Sequence, residues 1–108
     1  MSGELESSVI QFSDNVTISN ISDARDILLD AFESNNSITI EIAGLEEADL
    51  TFIQLIESAR RSAAESNRSI QLREPAQGAV LQVLQRGGFL DPDDRDRMNF
   101  WLQGATEQ

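Results

Sequence analysis

Polar and apolar residues alternate strictly along Ser37-Ile38-Thr39-Ile40-Glu41-Ile42-Ala43, and the β-branched content of that run marks it as the clearest strand in the chain. Ser69-Ile70-Gln71-Leu72-Arg73 repeats the pattern and is stopped by Pro75. Val9-Ile10-Gln11-Phe12 and Val16-Thr17-Ile18-Ser19 are two shorter β-rich runs separated by the turn-forming Ser13-Asp14-Asn15, which predicts a hairpin. Between these strands the apolar period changes from two residues to between three and four. Ala24, Ile27, Leu28, Ala31 and Phe32 lie on one face of a helix over 22–34, capped by Asn20 or Ser22. Phe52, Leu55, Ile56, Ala59 and Ala63 do the same over Thr51–Ser66, with Glu57, Arg60, Arg61 and Glu65 outward. Thr51 and Gln54 have the spacing of a capping box, and 44–49 is a turn. A third helix over Gln77–Arg86 buries Val80, Val83 and Leu84 and ends at Gly87-Gly88.

The predicted order is β, β, α, β, α, β, α, an α/β chain whose crossover helices join parallel strands. Val16/Ile18, Ile38/Ile40/Ile42 and Ile70/Leu72 form one apolar sheet face, while Thr17/Ser19, Thr39/Glu41 and Gln71/Arg73 form a polar one. Helices are therefore expected on one side only, unlike a doubly wound nucleotide fold with strands apolar on both faces. After Phe89-Leu90, Asp91 is placed to cap a fourth short helix with Pro92 in its first turn and Gly104 at its end. Met98, Trp101 and Leu102 are spaced to give it a small apolar face, so the C-terminal segment should fold back onto the sheet domain.

Composition narrows the chemistry more than the fold. Cysteine and histidine are absent, which removes thiolate nucleophiles, disulfides, His-centred bases and the commonest zinc sites. No phosphate-cradling glycine loop is present. Asp91, Asp93, Asp94 and Asp96 lack the central glycine and distal glutamate of an EF-hand calcium loop and read as a solvated helix start. Glu46, Glu47 and Asp49 form an acidic loop with no apolar pocket around it to raise a pKa. A non-enzymatic chain with no cofactor and no metal is expected.

Charge is uneven: residues 1–54 carry a net charge of −10, residues 55–108 a net charge of −1. Such a surface repels phosphate backbones and anionic lipid heads, so a protein partner with a basic face is expected, with neither nucleic acid nor membrane insertion. With no cysteine, no secretory pattern at the start and no long apolar run, the expected location is cytoplasmic.

The segment Leu45-Glu46-Glu47-Ala48-Asp49-Leu50-Thr51-Phe52-Ile53-Gln54-Leu55-Ile56 follows a strand and opens a helix. It resembles the signature of STAS domains, in which Asp, two small residues, Gly and Leu precede an apolar helix. Gly88-Phe89 stands where the family often closes with Gly-Leu. The resemblance implies a STAS fold over 9–90, with a mixed sheet of four to five strands and helices packed mainly on one face. A disordered segment 1–8 would precede it and a helical extension 91–108 would follow. It makes Thr51 the candidate phosphoacceptor of an anti-sigma-factor antagonist, and it assigns partner binding to Asn20, Ser22, Asp49, Leu50, Thr51 and Phe52. The partner implied is a serine/threonine kinase of the histidine-kinase-like ATPase type. The alternative is a constitutive subunit of a lipid-transport ABC complex or chemotaxis-type signalling assembly, without phosphorylation. Leu50 stands where the family commonly has Ser or Thr, and Phe52 where it usually has Gly. The hydroxyl of Thr51 serves equally as phosphoacceptor or as helix cap.

Overall fold

A computed structural model of the chain describes residues 7–103. The strands are β1 (Ser7–Gln11), β2 (Asp14–Val16), β3 (Ser37–Glu41), β4 (Leu45–Ala48) and β5 (Ser69–Leu72). The helices are α1 (Ile21–Ser34), α2 (Leu50–Glu65), α3 (Gly78–Arg86) and α4 (Arg95–Leu102). The fold is the expected α/β arrangement. β1, β3 and β5 form a parallel sheet in that order, with Ile10 opposite Ile40 and Ile38 opposite Ile70, and α1 and α2 are its crossovers. Of the segment expected to be disordered, Ser7 and Ser8 already belong to β1, and 1–6 lie outside the described residues.

The expected hairpin does not form. β2 pairs in parallel with β4, not with β1. Ser13-Asp14 bends the chain without reversing it: Phe12 N donates to Glu41 O at 3.0 Å and Asp14 N to Gly44 O at 3.0 Å, so β1–β2 runs beside β3–β4 as one kinked ribbon. Asp14 takes φ 62, a left-handed conformation that Asp tolerates better than most residues, and the register shifts between Asp14 and Asn15. The segment 44–49, expected as a turn, contains β4, with Leu45 buried and Glu46 and Glu47 exposed. Val16 is buried as expected, but Ile18 lies beyond the strand and is 72% exposed.

The rest of the alternation holds. Ile10, Ile38, Ile40 and Leu72 are buried beneath the helices, whereas Val9, Gln11 and Gln71 face solvent. On that open face polar pairs tie neighbouring strands: Gln71 Nε2 donates to Thr39 Oγ1 at 3.4 Å, and Arg73 Nη1 to Glu41 Oε1 at 3.2 Å. α1 buries Ala24 and Leu28 but leaves Ile27 47% exposed, so its apolar face is narrower than the spacing suggested. Phe12, at the bend of the ribbon, meets the fully buried Phe52 edge to face at 5.6 Å.

α4 folds back onto this core. It starts later than expected, at Arg95, because Asp94 rather than Asp91 caps it by accepting from Arg97 N at 3.1 Å. Asp91 instead holds the preceding turn, accepting from Asp93 N at 3.0 Å. The helix ends at Gln103 in a left-handed conformation, and Gly104 lies outside the described residues. Trp101 is fully buried and Leu102 nearly so.

Glu57, expected to point into water, is the main surprise of α2. It is buried, and its carboxylate accepts Arg60 Nη1 on both oxygens at 2.9 Å, Arg97 Nε at 3.3 Å and Trp101 Nε1 at 2.7 Å. A buried carboxylate is tolerated only when paired and hydrogen-bonded, and here α2 and α4 share the donors. The backbone continues the clamp, with Ala76 N donating to Trp101 O at 2.7 Å and Gln103 Nε2 to Leu72 O at 2.6 Å.

Candidate functional site

The ribbon of β2 and β4 delivers two loops to the N-terminal end of α2, and Asp49 joins them. Its backbone is extended (φ −133, ψ −173), as a cap requires, and its Oδ1 accepts from Thr51 N at 3.0 Å and from the Thr51 hydroxyl. Its other oxygen accepts from Ile18 N at 2.9 Å, thirty-one residues away in sequence. Asp49, not Thr51, is thus the helix cap, and Thr51 occupies the second helical position as a donor to it.

Two opposing influences act on the Asp49 carboxyl. Partial burial pushes its pKa up, but hydrogen bonds from the Thr51 hydroxyl and from the backbone N–H groups of Ile18, Thr51 and Phe52 outweigh it and hold the group below the ordinary aspartate value. A depressed folded-state pKa contributes stability above the unfolded-state value, about 3.9, and that contribution is lost as pH falls through the lower folded-state value. Asp49→Asn should therefore unfold at lower temperature than the parent chain near neutral pH, with a gap that is constant down to about pH 5 and closes in stronger acid. Thermal melts of both chains across that range test this, and a gap independent of pH would remove the ionised cap from the account.

Asn20 braces the other loop. Its Oδ1 accepts from Thr17 N at 2.8 Å, and its Nδ2 donates to Asn15 O at 3.0 Å and Asn15 Oδ1 at 3.1 Å. Ser22 is exposed in the first turn of α1, and Leu50 is 45% exposed at the start of α2. Leu50 and Phe89 approach Gly87 closely at the end of α3: a Cβ there would lie 2.9 Å from Leu50 Cδ2 and 2.9 Å from a Phe89 ring carbon, so one of them would have to shift.

Asn20, Asp49, Leu50 and Thr51 thus belong to one pole of the molecule, where the Ile18 N–H bond to Asp49 closes the two loops on each other. Phe52 does not belong to its surface. It points into the core, so its expected part in partner contact is corrected. Ile18, which the alternating pattern had placed in a strand, adds an exposed apolar side chain to the pole. Its place there was hidden because the Asp49 contact that positions it is long-range; the Asn15 and Asn20 amides flanking the run were the available sign of a loop.

A one-sided parallel sheet with a loop and a helix N-terminus at one pole has a counterpart in fold among the solved structures. The chain is similar to a structure reported as "Crystal Structure Analysis of Mglu", with a TM-score of 0.57 and 12% identity over 67% of this chain and 18% of that one. At that identity the likeness concerns the fold. The family model described as "Mlab, STAS domain" matches residues 1–91, and the chain belongs to that family. α4 lies beyond the matched span. No curated protein sequence matches the chain significantly. Among the described residues, no helix is long and apolar enough to cross a membrane.

Proposed function

We propose that this domain is a non-catalytic subunit that stays docked to a partner protein of a transport or signalling assembly, the lipid-transport type of complex being the member of that group its family favours. The pole built on Asp49 is the docking surface. The observation that carries this reading is the hydroxyl of Thr51 donating into the Asp49 carboxylate. A phosphate on Thr51 would replace that donor with a dianion pressed against a carboxylate held ionised, with Glu46 and Glu47 on the adjacent strand. The helix N-terminus favours such an anion by about 1 kcal/mol at an exposed site, less than the cost of forcing like charges together at hydrogen-bond distance. Phe52 also fills the position where the family usually has Gly with a core side chain, so no bare backbone is offered to a kinase at that point.

Docking would rest on the exposed apolar pair Ile18 and Leu50, rimmed by Asn20, Ser22 and the acids of β4, which suits a partner with an apolar centre and a basic rim. Affinity capture of the tagged chain from its own host, with phosphosite mapping and quantification of the bound proteins, tests the reading. A stoichiometric transport or signalling protein held by chain unmodified at Thr51 is expected, with Leu50→Arg weakening the complex by about tenfold or more at unchanged melting temperature. A phosphate on Thr51 that releases the partner would overturn it in favour of a switched antagonist.

A further inference from the structure

Half of the chain's eight basic residues line one groove of about 930 Å³ between the C-terminal half of α2, β5 and α4. They are Arg60, Arg61, Arg68 and Arg73, and Asp96 is the acid on the same walls. Arg60 is held by Glu57 and lies over the Phe100 ring at 5.0 Å, and Arg73 is paired with Glu41. Arg61 and Arg68 have no carboxylate within 4.0 Å among the described residues. In a chain of net charge −11, a groove with two uncommitted guanidinium groups stands apart from the rest of the surface.

β5 is the edge of its sheet, with β3 on one side and the groove on the other. Ser69 N and Arg73 N donate toward β3, to Asn36 O and Ile40 O at 2.9 Å each. By the alternation of a parallel strand, the backbone groups of Ile70 and Leu72 turn the other way, into the groove. The Leu72 carbonyl is taken by Gln103, which leaves the Ile70 N–H and C=O and the Leu72 N–H facing it. Arg68 and Arg73 bracket this edge, about 16 Å apart along an extended chain.

We infer that this groove is a second docking site, which takes an extended acidic segment of a protein partner as an added strand on the free edge of β5. Backbone groups of Ile70 and Leu72 pair with the segment, and Arg61 and Arg68 neutralise its carboxylates. A strand-shaped ligand fits the local charge in a way a broad anionic surface does not. A lipid bilayer approaching the groove also meets the strongly acidic remainder of the chain, whereas a single strand meets chiefly the groove walls, where the four arginines outnumber Asp96. The site lies some eleven residues along α2 from Leu50, so it is independent of the pole proposed above.

The probe is a fluorescein-labelled octapeptide of alternating Glu and Val, titrated against the full chain by anisotropy at low salt. Saturable binding is expected that weakens with salt and falls by about tenfold or more in the Arg61→Glu/Arg68→Glu double variant, whose melting temperature should match the parent's. A peptide N-methylated on alternate residues should lose binding to a similar degree, and Leu50→Arg, which tests the other pole, should leave it unchanged. Binding indifferent to N-methylation or to the arginine changes overturns the proposal. So does binding of phosphatidylglycerol vesicles, but not of the peptide, that disappears in the double variant, since the groove would then be a lipid site. Self-association of the chain that the double variant abolishes would also overturn it, making a second copy the occupant.

Discussion

Trp101→Ala is expected to cost about 3–5 kcal/mol of folding stability, although Trp101 lies near the end of the described chain and outside the span matched by the family model. The side chain is fully buried, packs edge to face on Phe100 with ring centroids 5.0 Å apart, and donates its N–H to Glu57. Its loss opens a cavity and takes away the donor that reaches the buried Glu57 from the core, leaving the carboxylate to the two arginines. Since small domains have about 5–15 kcal/mol in total, the variant should melt lower by on the order of 15 °C or more. Trp101→Phe keeps most of the volume and loses chiefly the hydrogen bond, so its cost should be nearer 1–3 kcal/mol. Circular dichroism melts of both variants decide the matter. Equal, small losses would make α4 an appendage instead of part of the core.

The second large effect is expected at Phe52. Phe52→Ala removes a fully buried ring that packs against Phe12 at the bend of the β1–β2 ribbon, at a cost of about 3–5 kcal/mol. Leu50→Ala, two residues earlier on the exposed side, should change stability by no more than about 0.5–1 kcal/mol. Denaturant unfolding of the pair separates the residue that supports the pole from the residue that forms its surface. Comparable losses in the two variants would mean that Leu50 is held in the core by Phe89 and Gly87, not offered to a partner.

What could be read from the sequence depended on whether a signal was local. β3 and α2 carry complete periods of two and of three to four residues, because each buries one face against a single layer, and their bounds were legible to within two residues for β3 and one for α2. β4 was not. Only Leu45 of its four residues is buried, and two adjacent glutamates mimic a loop. The Ser13-Asp14-Asn15 cluster signalled a change of direction, but local chemistry does not separate a reversal from a bend. The partner that decided between them, β4, lies some thirty residues further on. Asp49 and Thr51 were both seen as residues of the site, yet the cap was given to Thr51 and belongs to Asp49, since either side chain can cap a helix and only the backbone conformation settles which one does. Glu57 was hidden for a different reason. It flanks the buried stripe of Phe52, Ile53 and Ile56, and what draws it inward is a set of donors from a helix forty residues away.

The parallel pairing throughout has a consequence for how the chain comes to be folded. β1 meets β3 only after α1 has spanned them, β3 meets β5 only after α2, and β2 waits for β4, so among the described residues no strand has a partner next to it in sequence. Without a hairpin to act as a local nucleus, the loop-closure entropy of each crossover precedes any reward from pairing, which places such a topology among the slower small domains to fold. The sole tryptophan of the chain sits on α4, the last helix in chain order to join the core, so its burial reports the end of that sequence of closures and not its beginning.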